Sequence, residues 1–372
     1  MRVNEIIEDR ILTEDARIQH AEDFILWEGS QGAIRVLNQL DHLGSSKNIS
    51  VKFDGSPAIY FGRLPDGQFV LTDKSGFTAK GYNGLATSAE ELENMFLSRG
   101  KELNDARRAF AKGMAGLYDR FEKVVPDSFR GFVKGDLLYS SKPAIDRNND
   151  FVFTPNTVTY HVAADSKLGI RISKSTAGIA VHSKTAGPNQ PDVPLDLTDL
   201  NLNTEVMVIG PTFVEPSVSI DSAKIKQAKQ FVQKYASDID SFLDSARLAE
   251  LKMSDVPDIL YTYINAMVKS RGLGNLAGSF ATWLSTSKVS KVKQEKLLQY
   301  INENSKGAVA TFTTVQAIMT IKNEVVAQLD TANSPIRATI NGEHGGEGYV
   351  VGDTKYVDRS KFSLANFEKV RS

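Results

Sequence analysis

The chain has 372 residues, 41% hydrophobic and 24% charged, with a net charge of −1; that is an ordinary mixture for a folded protein with room for two or three domains. A charge so close to zero creates no global field toward nucleic acid or membrane, so a polyanionic partner has to be met by a local basic patch. The absence of cysteine excludes disulfides, thiolate zinc sites and cysteine nucleophiles. The five histidines (His20, His42, His161, His182, His344) show no metal-ligand spacing. Met1-Arg2-Val3-Asn4-Glu5 lacks the apolar core of a signal peptide, and no run of about 18 apolar residues is present. A cytoplasmic protein without a membrane partner is expected.

Taken in order, residues 1–20 are polar. His20 to Leu43 reads as a helix with a stripe of Phe24, Trp27, Ile34, Leu37, Leu40 and Leu43, broken at Gly29-Ser30-Gln31-Gly32. Ile49 to Phe53 reads as a strand, which puts Lys52 and Asp54 on one side of it. Ala58–Arg63 and Phe69–Thr72 flank Pro65-Asp66-Gly67-Gln68, a hairpin turn in which Pro presets φ and Gly takes the left-handed position. Residues 88–124 look helical. Strands follow at Phe129–Tyr139, Thr157–Val162, Gly178–His182 and Asn203–Val214. From about Ser219 to Thr331 the pattern turns helical almost throughout. Strand-like sequence returns at Ile336–Ile340 and Gly348–Val357.

Four polar clusters lie on or beside these strands: Lys52-Phe53-Asp54-Gly55-Ser56, Thr72-Asp73-Lys74-Ser75-Gly76, Lys134-Gly135-Asp136, and Glu347-Gly348-Tyr349-Val350 followed by Lys355 and Lys361. Each has an ordinary reading. A lysine on a strand is usually a solvated edge, Asp-Gly is often only a turn, and Tyr160 can simply pack. Acids flanked by Leu137-Leu138 and Val350-Val351 sit on partly buried strands, where a carboxylate needs a partner.

In this order the clusters resemble the motifs of the covalent nucleotidyltransferase superfamily, the ATP-dependent DNA and RNA ligases and mRNA capping enzymes. Lys52-Phe53-Asp54-Gly55 matches K-x-D-G, and Glu347-Gly348-Tyr349-Val350 matches E-G-x-V. Asp136 stands where the family more often has Glu, Tyr160 takes the aromatic strand position, and Lys355 and Lys361 replace the usual K-x-K. The resemblance covers about 50–220 and 335–362. It implies that Lys52 attacks the α-phosphorus of ATP to give a lysyl-AMP. The amine must be neutral to attack, so its pKa must fall from about 10.4; a neighbouring lysine and Mg²⁺ (or Mn²⁺) would disfavour the ammonium. Lys74, Lys355 and Lys361 are the implied cations and phosphate holders. Glu347 would bind the metal. Asp136 would take the ribose hydroxyl or a metal-bound water, Asp54 would orient the lysine loop, Gly55 would admit the nucleotide closely, and Tyr160 would stack on the base.

The expected architecture is α+β. It is a nucleotidyltransferase domain, the ATP-grasp-like ligase adenylation type built of antiparallel sheets, with an all-α insertion. The expected divisions are 1–48 (N-terminal helical segment), 49–218 and 334–372 (the two parts of that domain) and 219–333 (helical insertion). After Lys361 there remain 372 − 361 = 11 residues, too few for the OB-fold domain that DNA ligases and capping enzymes carry there. K-x-D-G-S is closer to phage-type RNA ligases, although their helical module follows the last motif and here the helical block precedes Glu347. The expected activity is ATP-dependent ligation of polynucleotide ends, RNA rather than DNA. The alternatives are nucleotidyl transfer to a protein or small molecule, and a nucleotide- or nucleic-acid-binding module without turnover. Lys288, Lys291, Lys293 and Lys296 could meet phosphates, but acidic residues mixed along the block favour a solvated helix face.

Overall fold

The computed structural model of the protein describes residues 19–46, 49–99, 103–210, 212–214, 218–331 and 336–369; the reading of residues 1–18 lies outside them. The chain is mixed α+β, with three sheets and helices. It divides into two compact units, one of 52–212 with 336–346 and the other of 19–51, 213–331 and 347–369. In this division residues 19–51 and 347–369 fall with the helical block rather than with 52–212.

The strands, in chain order, are β1 (Gln19–His20), β2 (Ile49–Val51), β3 (Ala58–Arg63), β4 (Phe69–Asp73), β5 (Gly131–Tyr139), β6 (Ala144–Ile145), β7 (Asp150–Phe153), β8 (Thr159–Ala163), β9 (Ala177–Thr185), β10 (Asp192–Val193), β11 (Val206–Ile209), β12 (Thr212–Val214), β13 (Ile336–Ile340), β14 (Glu343–His344), β15 (Tyr349–Val351) and β16 (Thr354–Tyr356).

The first unit holds two sheets. One runs β10-β9-β5-β3-β4 and is antiparallel along that path, with β11 added parallel to β9. Alternation decides its faces. Ile59, Phe61, Leu71, Val133, Leu137, Ile179 and Val181 share a core with Leu92, Phe96, Met114 and Phe121. Tyr60, Val70 and Phe132 face the other way and gather with Phe77. The β3–β4 turn forms at Pro65–Gln68 as its sequence predicts, with Gly67 at φ 93° and Asp66 Oδ1 accepting from the Gln68 N–H. The stretch 88–124, expected to be helical, forms the helices Ala89–Ser98, Asp105–Ala115 and Tyr118–Glu122. Ser88 and Asn104 each cap the helix they precede, which is why the chain restarts there. The second sheet, β14-β13-β8-β7-β6, is antiparallel throughout.

The second unit joins a sheet in the order β1-β16-β15-β2-β12 to the helices between Ser222 and Thr331. The N-terminal helix Phe24–His42, expected as a segment of its own, shares one core with them: Ile25, Leu37 and Leu40 pack with Val232, Phe242, Leu260 and Ile318, and with Tyr356 of the last strand. The break foreseen at Gly29–Gly32 is a kink at Gly29, where φ is 59°. There Asp240 accepts from the Ser30 N–H (2.7 Å) and Oγ (2.8 Å), so a distant helix caps the restarted one.

Beneath these helices lies a buried set of charges. Lys322 Nζ meets both oxygens of Glu22 at 2.8 Å. Arg359 Nη1 meets Glu22 at 3.2 Å and Asp23 at 2.9 Å, and its Nη2 donates to Asn265 at 2.6 Å. Two acids and two bases balance one another where each alone could not be buried. The set ties the turn Ala21–Asp23 and the helix Ser305–Thr331 to the turn Arg359–Ser363.

Two strand expectations change. Gly348–Val357 is a hairpin, β15 and β16, which turns at Gly352 with φ 60°. Asn203–Val214 is two strands that enter different sheets, β11 beside β9 and β12 beside β2.

Candidate functional site

The strand expected to carry Lys52 ends at Val51. Lys52–Pro57 then runs without regular structure into β3, so Lys52 and Asp54 do not share a strand face. Asp54 is buried at 5% exposure while Lys52 is half-buried. The reason lies across the unit. Asp54 Oδ2 accepts from the N–H groups of Thr157 (2.7 Å) and Val158 (3.0 Å), and Oδ1 accepts from Asn156 Nδ2 (2.8 Å). The Asp54 N–H donates to the Tyr160 hydroxyl at 2.5 Å. Three donors on one carboxylate draw it out of solvent and take the chain with it.

Gly55 completes the loop. A Cβ there would fall 2.5 Å from Asp136 Cβ and 2.9 Å from its carbonyl carbon, so only glycine permits this approach. The close approach foreseen at Gly55 is therefore to the backbone of β5. Ser56 N–H donates to Leu137 O (2.9 Å) and Leu137 N–H to Pro57 O (3.1 Å), which fastens the loop to the strand. Ser56-Pro57 is a cis peptide.

Tyr160 was expected to stack on a base. It is fully buried instead, with its ring 5.3 Å from Phe53 and 5.5 Å from Phe153. With no ring face exposed it is a packing residue, and its hydroxyl anchors the loop.

Asp136 is half-buried on β5, opposite Ala58 of β3 and Ala180 of β9. Its Oδ2 meets His182 Nε2 at 2.9 Å. The register explains this contact. Lys134 pairs with Ser183 but Gly135 pairs with Val181, so His182 is the extra residue of a β-bulge. Bulges re-aim a side chain, and here the side chain is aimed at the acid.

Lys74 is exposed at the start of the short helix Lys74–Phe77, directly after β4. Asp73, before it, accepts from the Gly76 N–H (2.8 Å) and from Arg99 Nη1 (2.5 Å). Asp73 pairs with Ile59, next to Ala58, so the β4 end, the 52–57 loop, Asp136 and His182 all lie at one end of a single sheet. On its face away from the helices this sheet carries Tyr60, stacked on Phe77 at 4.1 Å, and Lys134, paired with Asp192 at 2.8 Å.

The remaining expected residues belong to the second unit. Glu347 is half-buried just before β15. Lys355 is half-buried on β16, opposite Val350. Val51, the residue before Lys52, pairs with Tyr349, two after Glu347. Lys361 was grouped with the strand lysine but is exposed in the turn Arg359–Ser363, whose start is capped by Asp358. The buried Arg359 fixes that turn, and Lys361 lies on its exposed side.

Three lysines of the helical block's run make ties within it. Lys293 pairs with Asp255 at 2.5 Å, Lys291 donates to Ser285 O and Gln294 at 3.3 Å, and Lys296 donates to Leu251 O. These contacts agree with the helix-face reading rather than with phosphate binding.

A model of a family of unknown function (DUF6267) matches residues 15–371. The chain belongs to this family. The match spans both compact units. No curated protein and no solved structure matches the chain.

Two features were missed in the sequence. His182 had no role assigned, and no local signal could have given it one, because its partner is set by sheet register. Asp146, Asp150 and His161 place one ligand-type atom each within 4.8 Å of one another, although the histidines show no metal spacing along the chain. A signal for the acidic half did exist in Asp146-Arg147-Asn148-Asn149-Asp150, the alternating D-x-N-x-D spacing of oxygen-rich cation loops. Among the described residues no helix is long and apolar enough to cross a membrane.

Proposed function

We propose that this protein is a nucleotidyltransferase that forms a covalent lysyl-AMP on Lys52 and passes the adenylyl group to a polynucleotide 5′-phosphate, with RNA the favoured acceptor. The observation that carries this reading is the seating of the Lys52–Ser56 loop on β5. Gly55 lies against Asp136 while the Asp54 carboxylate is consumed by 156–158. A nucleophile for this chemistry must be held by a loop that cannot wander, next to an acid that can meet the nucleotide. Asp54 and Tyr160 supply the rigidity, and Asp136 the acid.

In the proposed first step Lys52 Nζ, as free amine, forms a bond to the α-phosphorus of ATP. The bond to the bridging oxygen breaks, pyrophosphate leaves with the electron pair, and the amine proton goes to solvent. An oxygen of the 5′-phosphate then takes the adenylyl group and restores the lysine. A 3′-hydroxyl attacks that 5′-phosphorus, and AMP leaves. Asp136 presents a carboxylate whose Oδ2 is held by His182 and whose Oδ1 has no described hydrogen-bond partner. Such an oxygen suits a nucleotide hydroxyl or Mg²⁺, a hard cation that takes one or two carboxylates together with substrate oxygens. Mg²⁺, when bound, supplies positive charge to the phosphate oxygens. The metal role of Glu347 and the phosphate roles of Lys74, Lys355 and Lys361 rest on motif order along the chain.

The test is incubation with α-labelled ATP and Mg²⁺ or Mn²⁺, followed by denaturing electrophoresis. The expected result is a labelled band that is absent in Lys52→Ala, and its loss on adding 5′-phosphorylated RNA. A labelled band that RNA and DNA ends leave untouched would move the reading to transfer onto a protein or small molecule. No label with either metal would end the covalent reading and leave a binding module.

A further inference from the structure

The first unit carries a second cluster, separate from the Lys52 loop and independent of the function proposed for it. Asp146 closes the turn between β6 and β7, Asp150 opens β7, and His161 lies on β8 opposite Val152. Asp150 and Val152 alternate onto the same sheet face, and that face places His161 beside Arg337 of β13. The opposite face buries Phe151, Phe153, Tyr160 and Val162. The cluster therefore sits on the more open side of the sheet, where an ion can reach it.

Each of the three side chains has a polar neighbour at one of its atoms. Asp146 Oδ1 accepts from the N–H groups of Asn148 (2.9 Å) and Asp150 (3.0 Å). Asp150 Oδ2 is held by Arg337 Nη2. His161 Nε2 lies 3.4 Å from Thr339 Oγ1. Asp146 Oδ2, Asp150 Oδ1 and His161 Nδ1 carry none of these bonds, and one ligand-type atom from each residue lies within 4.8 Å of the others.

Nδ1 and Asp146 Oδ2 are 3.8 Å apart, too far for a hydrogen bond. Two ligands bound to one ion at about 2.1 Å stand roughly 3–4 Å apart. Outer contacts that orient an imidazole and its companion carboxylates, while leaving one donor atom of each, are the pattern of a metal site with a supporting shell. Two carboxylates against one guanidinium leave a charge of −1, which attracts a dication.

We propose that Asp146, Asp150 and His161 bind one divalent transition-metal ion through two carboxylate oxygens and His161 Nδ1. A mixed oxygen and imidazole set selects Zn²⁺ or Mn²⁺ over the oxygen-seeking Mg²⁺ and Ca²⁺. With three protein ligands the ion keeps an open position for water or a small anion.

The test titrates Zn²⁺ and Mn²⁺ into the full chain, without a histidine tag, by calorimetry. One ion per chain is expected. Affinity should fall at least about tenfold in His161→Gln and in Asp146→Asn, while Lys52→Ala and Asp136→Asn should bind as the wild type does. Equal affinity in the wild type and His161→Gln would overturn the proposal, as would tighter binding of Mg²⁺ than of Zn²⁺. Should the variants not fold, pulsed EPR of the Mn²⁺-loaded wild type decides: coupling to one imidazole nitrogen is expected, and coupling to oxygen ligands alone refutes the site. Retained labelling of Lys52 in His161→Gln would keep this site distinct from the nucleotide reading.

Discussion

Two buried carboxylate sites, one in each unit, are satisfied by different means. In the first, one carboxylate, Asp54, is hydrogen-bonded by two backbone N–H groups and by the Asn156 side-chain amide. In the second, Glu22 and Asp23 are neutralised by the side chains of Lys322 and Arg359. Backbone donors sit at fixed angles, so the first arrangement fixes the geometry of the loop that begins at Lys52 and seats Gly55 against Asp136. Ion pairs between long side chains fix connectivity and pin three distant stretches of chain together. A carboxylate held by backbone is suited to organising a reactive loop. A charge quartet with no exposed member has a structural duty.

The largest test of this contrast is to remove one member of the quartet. Arg359→Met or Lys322→Met leaves buried carboxylates uncompensated and should cost about 3–5 kcal/mol in urea unfolding. A cost below about 1 kcal/mol would mean that water reaches the cluster and that the contrast is false.

Asp54→Ala comes next. It strands the N–H groups of Thr157 and Val158 and should cost about 3 kcal/mol. Its more telling consequence is for labelling of Lys52, which should fall far more than the folded fraction. Labelling that merely tracks the folded fraction would reduce Asp54 to a structural role like that of Glu22.

The pH dependence sharpens the second unit. Burial pushes the Asp23 carboxyl up to about 6 against the pull of Arg359. Burial also raises the Glu22 carboxyl, but Lys322 and Arg359 together outweigh it and hold it below its usual range. Because the folded value of Asp23 lies above its unfolded value of about 3.9, the stability linked to its proton is complete below that value and lost as pH rises through 6. The stability difference between wild type and Asp23→Asn should therefore fall by up to about 1.4 kcal/mol per pH unit between about pH 4 and 6, then level off. A difference that rises over this range would reverse the assignment. Glu22 works in the opposite direction, and its contribution is lost as pH falls.

Tyr160→Phe probes the smaller support of the Lys52 loop. Losing the acceptor for the Asp54 N–H should cost about 1 kcal/mol in thermal unfolding. The smallest effect belongs to the helix surface: Lys293→Ala breaks a half-buried pair with Asp255 and should cost less than about 1 kcal/mol.

Much of the local structure is legible in the sequence. The apolar stripe of 24–43, the turn at Pro65–Gln68 and the break at Gly29 follow from periodicity and φ preferences, which act over a few residues. Lys52, Asp54, Gly55 and Asp136 stand out by residue type, and the structure does bring Gly55 against Asp136. Other features could not be read this way. The end of β2 at Val51 depends on Asp54 being drawn toward 156–158, about a hundred residues away. His182 meets Asp136 through a bulge, and a bulge has no signature in these residues.

The amino-acid sequence alone determined the α+β character, the helical block, the turns and the polar residues worth suspecting, because alternation, helical period and glycine conformation are short-range properties. Tertiary structure alone decided that the helical block shares a core with the first helix and the last strands. It also decided that Tyr160 is a buried anchor, that Asp136 has a histidine partner, and that Asp146, Asp150 and His161 converge. Each of those outcomes depends on strand register or on the pairing of buried charges, and such pairings are selected by the whole fold's burial rather than by any neighbour in the chain.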